Sequence, residues 1–275
     1  MTHYIFDFVF LLVWVDHGFA VDAKFNPDPS TWESVHRPKK NALDLEDMFL
    51  ARANQSDHDW TVESVNGKVV ARLRTQLLEK KRVAPPFNTR VKLDQTEAEA
   101  FRMSKVGDGW IVAYNQGEWG GAVFWFNGDG SKRKKLSDHQ INQFLVEGDR
   151  LFAIEGLAHL GGSRGSMIEI LKVGEEWKAE EFLALSSSPE VVARVGAGDY
   201  LIVTTNSLLR VNLKKEKTTL IPNTDWGILY PSSIVVDGHF VYVGMRQFVV
   251  RYDLRSSTPH YDLLVPDSKW LNVTK

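Results

Sequence analysis

Four glycine-containing segments hold most of the side chains in this sequence that could bind a ligand or take part in catalysis. They read NQGEWGG (115–121), EGLAHLGGSRG (155–165), TTNS (204–207) and GMRQ (244–247). Carboxylates such as Glu118 and Glu155 are ligands for hard cations, and His159 could act as a general base. Arg164 or Arg246 could hold an anionic group through the guanidinium fork. Together these side chains would suit metal-assisted hydrolysis.

The same residues also fit structural roles. Glu118 and Glu155 could accept hydrogen bonds from turn amides, because perturbed carboxylates often belong to structural networks. The eight histidines are scattered and form no His-x3-His pair or HExxH motif, so zinc is not expected. His159 then reads as a hydrogen-bonded or solvent-facing loop residue. We therefore favour a protein with no catalytic residues, no metal and no cofactor.

Gly161, Gly162 and Gly165 surround Arg164 as a phosphate-binding loop would, but the flanking pattern favours a turn. A P-loop ends in Gly-Lys-Ser/Thr and begins a helix, and a dinucleotide-binding fingerprint lies between a strand and a helix. Here LFAIEGL and SMIEIL on either side are typical of neighbouring strands. We predict that AHLGGSRG is the loop that joins them.

Two other kinds of motif give weaker functional signals. NGDGSKRKKLSD (127–138) is spaced like a calcium loop, but Lys132 and Asp138 stand where glycine and glutamate are required, so it predicts a hairpin turn. The basic runs at 37–40, 80–82 and 132–135 have no interleaved aromatic residues to stack on bases. The sequence therefore does not predict nucleic-acid binding.

The composition is that of a folded chain without a strong charge bias. Of its 275 residues 43% are hydrophobic, enough for a sizeable core in one or two domains. The formal net charge is -2, so no strong field attracts nucleic acid or acidic lipid. The chain contains no cysteine, which excludes disulfides, thiolate metal ligands and a cysteine nucleophile.

The first twenty residues have the pattern of a secretory signal peptide. An apolar stretch at 8–15 is too short to span a bilayer, and Gly18 and Ala20 occupy the small-residue positions before a cleavage site. Removal of residues 1–20 would delete two aspartates, change the formal net charge from -2 to 0, and place the protein in the periplasm or outside the cell. The alternative is an ordinary buried strand.

Local patterns predict the elements that follow. Residues 21–60 read as an irregular N-terminal strap with one short helix around 43–53. Asn66-Gly67 lies between apolar-polar alternations, which predicts a tight hairpin over 61–73. Capping-box spacing predicts a helix of one or two turns over 96–103.

A Gly/Asp turn that leads into a short apolar strand recurs along the chain. Aligning Val69, Ile111, Leu151, Leu201 and Val241 as equivalent positions gives steps of 42, 40, 50 and 40 residues, the size of a propeller blade. Each unit continues with further short strands, giving three or four in all. One such sheet cannot bury both of its faces, so we predict an all-β fold, a β-propeller of five or six blades over residues 61–275.

Two stretches resemble known propeller families. PSSIVVDGHFVYVGMRQFVVRYDL (231–254) resembles a blade of the NHL-repeat and gluconolactonase-type propellers, and residues 107–171 are similar to uncharacterised bacterial envelope propeller proteins. The resemblance to gluconolactonases implies a carboxylate, asparagine and aspartate set around a divalent metal. TTNSLLR lacks the aspartate that this pattern requires after Ser-Asn.

Equivalent loops of successive blades meet on one face of a propeller, so the loop residues are expected to converge. The candidate binding residues are Glu118, Trp119, Glu155, His159, Arg164, Asn206, Trp226 and Arg246. The two tryptophans lie beside glycines, where a large ring either plugs the channel or anchors a partner.

These observations predict a secreted or periplasmic, monomeric binding module without a membrane span. It would recognise a protein partner, and in one concrete form inhibit or neutralise it. The alternative is a metal-assisted lactone or ester hydrolase, and a structural envelope scaffold is a third. The hydrolase requires at least three carboxylate or amide oxygens within reach of one metal, whereas the binding module requires an exposed aromatic patch.

Overall fold

The structure is a computed structural model and describes residues 25–38, 45–76, 83–94 and 96–271. The predicted signal peptide, residues 1–20, lies outside the described residues. The short helix predicted around 43–53 is present as α1, Leu45–Asn54. Five 3₁₀ helices are also described: Pro29–Thr31, Arg74–Gln76, Gly117–Trp119, Trp226–Leu229 and Ser268–Trp270.

Short strands make up most of the described chain. They are β1 (Glu33–Val35), β2 (Trp60–Val65), β3 (Lys68–Leu73), β4 (Val91–Leu93), β5 (Thr96–Ala98), β6 (Arg102–Val106), β7 (Gly109–Asn115), β8 (Gly121–Asn127), β9 (Arg133–Ser137), β10 (Ile141–Glu147), β11 (Arg150–His159), β12 (Gly162–Val173), β13 (Glu176–Leu185), β14 (Pro189–Gly196), β15 (Asp199–Thr204), β16 (Leu208–Asn212), β17 (Lys217–Ile221), β18 (Ser233–Asp237), β19 (Phe240–Gly244), β20 (Val249–Asp253) and β21 (Asp262–Val265).

The strands form antiparallel sheets in chain order. Three sheets hold four strands each, β6 to β9, β10 to β13 and β14 to β17. A fourth holds β18 to β21, and β1 joins it as a fifth strand beside β21. The hairpins β2–β3 and β4–β5 are separate two-stranded sheets.

The first strands of successive sheets lie side by side. β6 contacts β10, β10 contacts β14, β14 contacts β18, and β18 contacts the hairpin strand β2. Separate apolar cores fill the spaces between consecutive sheets, because each sheet is apolar on both faces. Four-stranded meanders packed face to face with their first strands together are the blades of a β-propeller.

An aromatic cluster joins the first and last parts of the described chain. The Trp60 ring packs against those of Phe25, Trp32 and Trp270, with centroids 4.7 to 5.5 Å apart. Trp60 is fully buried, and its indole N–H donates to the Gln247 carbonyl at 3.2 Å. The strap expected to be irregular therefore contributes β1 to the last sheet and the buried rings of Trp32, Phe49 and Trp60 to the core.

The repeat pattern located the strands correctly. Ile111, Leu151, Leu201 and Val241 all lie in the second strand of a four-stranded unit, and Val69 lies in the second strand of the β2–β3 hairpin. The Asn66-Gly67 turn is also confirmed, since both residues have positive φ. The count of five or six blades is not confirmed, because the described residues form four sheets of four or five strands and two hairpins.

Two local predictions are wrong. Residues 96–103 form β5 and the start of β6 rather than a helix, because Val91 pairs with Ala98 and both are buried in the core. AHLGGSRG is not an open loop, since pairing continues to His159 and Gly162 and leaves a two-residue turn. In both places, hairpin pairing with the adjacent strand overrode the signal read from the sequence.

Candidate functional site

The loops that follow the second strand of each sheet lie at one end of the propeller and contact one another. The hydroxyls of Ser163 and Thr205 are 3.1 Å apart. The Thr205 carbonyl accepts from the Gly227 amide at 2.6 Å, and the Leu229 carbonyl accepts from the Arg246 amide at 2.7 Å. We call this surface the loop face and define it as residues 116–120, 157–164, 204–207, 222–232 and 244–248.

The loop that holds Trp119 is tightly hydrogen-bonded. The Gln116 amide donates to the Gly120 carbonyl at 2.9 Å, and the Gly117 amide donates to the Asn115 side chain at 3.0 Å. The Gln140 amide group donates to the Gly117 carbonyl. The Trp119 side chain is nevertheless 74% exposed. The loop therefore presents a large ring to solvent from a fixed backbone.

Glu118 and His159 are in hydrogen-bonding contact between two neighbouring sheets. His159 Nε2 lies 3.0 Å from a carboxylate oxygen of Glu118, and both side chains are partly exposed. His159 is therefore not an isolated loop histidine. The described partner of Glu118 is therefore the histidine of the neighbouring sheet rather than a turn amide.

Glu155 is the centre of a buried polar cluster. The Ser166 hydroxyl donates to it at 2.7 Å and the Arg164 guanidinium at 3.3 Å. The same guanidinium donates to the Gln140 side-chain oxygen at 2.8 Å, and Gln140 is almost fully buried. Arg164 and Glu155 thus connect the β11–β12 hairpin to the Trp119 loop, and Glu155 itself is too buried to face a partner.

Asn206 belongs to a network of small polar side chains. Its side-chain oxygen accepts from the Ser187 hydroxyl at 2.6 Å, and its carbonyl accepts from the Thr224 amide at 2.9 Å. The Ser188 amide donates to the Ser163 hydroxyl at 2.8 Å. This network holds three connections of the loop face together.

Arg246 is held at the other end of the loop face. Its guanidinium donates to the Asn54 carbonyl and side-chain oxygen at 2.7 and 2.8 Å. It also lies over the Tyr230 ring, 4.7 Å from the centroid. Arg246 therefore supports an exposed aromatic ring rather than projecting freely as an anion clamp.

Trp226 does not act as an exposed anchor. It is only 1% exposed and packs edge-on against Tyr261 with centroids 5.2 Å apart. Its indole nitrogen is buried and has no hydrogen-bond partner among the described residues. The short 3₁₀ helix turns this ring into the core, so Trp226 is removed from the set of candidate contact residues.

The stretch from Gly161 to Gly165 has Gly-x-Ser-x-Gly spacing, as serine hydrolases do, but a different setting. A nucleophile elbow lies between a strand and a helix, whereas Ser163 pairs with Ala158 in a hairpin. A Cβ at Gly165 would lie 2.4 Å from Pro189 Cδ. Gly165 is therefore required for close packing against the next sheet.

Four exposed apolar side chains lie on the loop face. Leu160 is 93% exposed, Trp119 74%, Tyr230 54% and Ile228 40%. Sequence reasoning found Trp119 and missed the other three, together with the supporting Gln140. Ile228 and Tyr230 were close to the correctly chosen segment around Trp226, but no motif distinguished the inward from the outward ring.

The described residues contain no group of three His, Asp or Glu side chains that could hold a metal ion. Among their carboxylates, Glu190 is unusual because burial raises its pKa to about 7. Glu190 follows Pro189 at an irregular point in the β14–β15 pairing. It is one carboxylate, and the structure gives it no ligand set.

Similarity to known proteins is found among solved structures. No family model and no curated protein matches this chain. Among solved structures it is similar to the extracellular domain of BT4673 from B. thetaiotaomicron, with 11% identity and a TM-score of 0.44 over 77% of this chain and 27% of that chain. It is also similar to virginiamycin B lyase from Staphylococcus aureus, with 15% identity and a TM-score of 0.38 over 60% of this chain and 55% of that chain.

A third similar structure is the gluconolactonase XC5397 from Xanthomonas campestris, with 10% identity and a TM-score of 0.34 over 58% of this chain and 55% of that chain. The match thus spans between 27% and 55% of these proteins' own length. All three are β-propeller proteins, and the likeness concerns the fold alone. Within the described residues, no helix has the length and apolar character needed to cross a bilayer.

Proposed function

We propose that this protein is a binding module that recognises a protein partner through its loop face. The observation that carries the proposal is the row of exposed apolar side chains formed by Trp119, Leu160, Ile228 and Tyr230. Aromatic and aliphatic anchors surrounded by polar groups are typical of interface hot spots.

The loops that hold these four side chains are linked to one another. The Glu118–His159 pair links the loop of Trp119 to the hairpin of Leu160. The Ser163–Thr205 contact and the bond from the Gly227 amide to Thr205 extend the link to the segment that holds Ile228 and Tyr230. A partner could therefore contact three sheets at once.

Leu160 supports the proposal on energetic grounds. It lies at the hairpin tip with a φ of 47° and is 93% exposed. A non-glycine residue in this left-handed region costs about 1 kcal/mol or more, and an exposed leucine recovers none of this cost by burial. Leu160 therefore gains almost no burial energy within the described fold, whereas burial against a partner would make its apolar surface stabilising.

The polar side chains form the frame of this surface. Glu155, Arg164, Gln140 and Asn206 are engaged in hydrogen bonds beneath or between the apolar groups. A frame fixed before binding lowers the entropy lost on association. This arrangement favours recognition over hydrolysis, and no observation on the described residues favours a metal-assisted lactone or ester hydrolase.

We also propose that the protein is exported to the periplasm or beyond, with residues 1–20 acting as a cleaved signal. The support is the short apolar stretch followed by Gly18 and Ala20. Mass spectrometry of the protein recovered from its producing cells tests this. A chain that begins at Val21 is expected, and a chain that retains residues 1–20 in the cytosol would contradict it.

The partner proposal is tested by crosslinking capture from an envelope extract with matched variants. Leu160→Ser combined with Tyr230→Ser removes two anchors of the loop face. Val146→Ser combined with Val173→Ser is the control, because these valines are 64% and 47% exposed at the opposite end of the strands. Captured proteins are identified by mass spectrometry and their affinities are then measured with purified components.

We expect a protein that wild type and the valine control bind equally and that the loop-face variant binds at least about tenfold more weakly. Circular dichroism and thermal unfolding of each variant exclude loss of fold as the cause. If the loop-face variant binds the purified partner as tightly as the valine control does, the proposed surface is wrong.

A further inference from the structure

A groove of about 240 Å³ lies beside Trp119, at the edge of the loop face. The β4–β5 hairpin forms one wall with Lys92 and Asp94. The last strand of the β6–β9 sheet, β9, and the turn that follows it supply Lys135 and Asp138. Arg164 of the β11–β12 hairpin reaches the groove from the neighbouring sheet. Gln116, Gly120, Gly121, Phe124, Leu93 and Gln140 complete the lining.

The ring of Trp119 is available on the groove. It is 74% exposed, and among the described residues its indole N–H has no acceptor and its ring has no aromatic or cationic neighbour. By contrast, Trp125 and Trp177 both donate their indole N–H to Asp108. The fixed backbone of the 116–120 loop holds the ring in place, so stacking on it would require little ordering.

The polar lining combines donors and acceptors of nearly balanced charge. Lys92, Lys135 and Arg164 are cations, and Asp94 and Asp138 are carboxylates. Lys135 pairs with Asp138 at 2.5 Å, and the Arg164 guanidinium is shared with buried Glu155. Such a lining gives little preference for a charged ligand. It suits hydroxyl groups, because each hydroxyl both donates and accepts a hydrogen bond.

We propose that this groove binds a neutral carbohydrate, with one sugar ring stacked on Trp119 and its hydroxyls hydrogen-bonded to Asp94, Asp138 and Lys92. A pyranose has an apolar C–H face and a polar rim, and the groove offers a flat aromatic face and a polar rim in the same arrangement. The volume is small for a site and matches one sugar ring rather than a long polymer. The inference does not require the protein partner proposed above.

The test uses a panel of immobilised neutral oligosaccharides of hexoses and N-acetylhexosamines, with a sulfated glycan as the charged comparison. Hits are titrated against the purified full chain by calorimetry. Trp119→Ala removes the platform, Trp119→Phe keeps an aromatic face, and Asp94→Ala removes one acceptor from the exposed rim. Val146→Ala is the control, because it removes an exposed apolar side chain at the opposite end of the strands, outside the loop face.

Binding of a neutral oligosaccharide is expected, with at least about tenfold loss in Trp119→Ala, partial recovery in Trp119→Phe and no change in Val146→Ala. A neutral hit that Trp119→Ala binds as tightly as wild type overturns the site. Binding of no neutral glycan, or binding restricted to the sulfated glycan and abolished by salt, overturns the ligand class. Loss of protein capture only in Leu160→Ser with Tyr230→Ser concerns the partner proposal, so the two failures can be told apart.

Discussion

The hairpins β2–β3 and β11–β12 use the same two-residue turn with different residues. In the first, Asn66 and Gly67 have φ values of 51° and 75°. In the second, Leu160 and Gly161 have φ values of 47° and 81°. Asparagine and glycine adopt this left-handed geometry at little steric cost, whereas leucine adopts it only with steric strain. The backbone geometry is common to both turns, but the first turn residue of β11–β12, Leu160, is not a residue type that favours such a turn.

The surroundings of the two hairpins explain the difference. In β2–β3 the strands supply Trp60, Val62 and Ala71 to the core, and the turn needs only to connect them. The β11–β12 hairpin has buried residues along its strands, but its tip extends onto the loop face. We infer that the Asn66-Gly67 turn has only a structural role. The Leu160-Gly161 turn is less favourable for stability but exposes the Leu160 side chain on the loop face.

Removing the anchor of the first hairpin should have the largest effect. Trp60→Ala would leave a cavity among Phe25, Trp32 and Trp270 and should lower the free energy of unfolding by about 4 kcal/mol. Trp119→Ala, the matched change on the loop face, should alter it by less than about 0.5 kcal/mol. Chemical denaturation measures both free energies of unfolding. Equal losses would contradict the assignment of Trp60 to the core and of Trp119 to an exposed surface.

Two titratable groups near these hairpins, Glu190 and His58, should make stability depend on pH in opposite directions. Burial raises the pKa of Glu190, next to the Pro189 that packs on β12, to about 7. The folded chain therefore holds this proton more tightly than the unfolded chain. Stability from this group is highest below its ordinary pKa of 4.5 and is lost as the pH rises to about 7. Glu190→Gln should raise the free energy of unfolding above that pH by roughly 3 kcal/mol at most.

His58, just before β2, has the opposite sign. Burial lowers its pKa below the ordinary 6.5, although Nδ1 donates to the Trp270 carbonyl at 3.1 Å. The unfolded chain then binds the proton more readily, so this contribution is full above pH 6.5 and decreases as the pH falls. Denaturation of wild type, Glu190→Gln and His58→Gln across this range separates the two slopes. If the free energy of unfolding of Glu190→Gln depends on pH as that of wild type does, the pH effect does not come from Glu190.

Adding a methyl group inside the second hairpin should cost less than losing the Trp60 ring. A Cβ at Gly165 would meet Pro189 Cδ at 2.4 Å and the Ser187 carbonyl at 2.8 Å, so Gly165→Ala should lower the free energy of unfolding by about 2 kcal/mol. Gly162→Ala is the control in the same strand, because its Cβ would only approach the His159 carbonyl at 3.4 Å. Thermal unfolding that ranks the two variants equally would show that β12 is not packed as described.

Exchanging the turn residues should give the smallest effect and the most direct comparison. Leu160→Asn should raise the free energy of unfolding by about 1 kcal/mol, because asparagine tolerates the left-handed region. Asn66→Leu should lower it by a similar amount. We also expect Leu160→Asn to weaken partner binding while Asn66→Leu leaves it unchanged. If Leu160→Asn is no more stable than wild type, the turn is not strained by its leucine.

Sequence patterns located the repeats well because each blade depends on short-range rules. A Gly/Asp turn followed by apolar residues predicts a strand wherever it occurs, and the five aligned positions are all in second strands. Asn66-Gly67 and the helix near residue 45 were found for the same reason. The predicted helix over 96–103 failed because pairing of β5 with β4 outweighs a capping signal.

The structure places the predicted loop segments at one end of the propeller but gives their side chains different surroundings from those expected. The four loop segments contact one another as expected, because equivalent loops of stacked sheets share one end. Trp119 and Trp226 have similar sequence surroundings, yet one is 74% exposed and the other 1%. The direction of a ring depends on the backbone of a 3₁₀ helix and on what packs behind it, and neither is encoded by spacing.

The residues of this chain by themselves determined the all-β repeats, the tight turns and the segments that form one face, since these depend on period and on local backbone preference. The tertiary structure alone decided which side chains of that face support it and which are displayed. Arg246 and Glu155 are each held by hydrogen bonds within the fold, while Leu160 and Tyr230 are exposed. The reason is that burial and hydrogen bonding are set by the three-dimensional neighbours of a side chain.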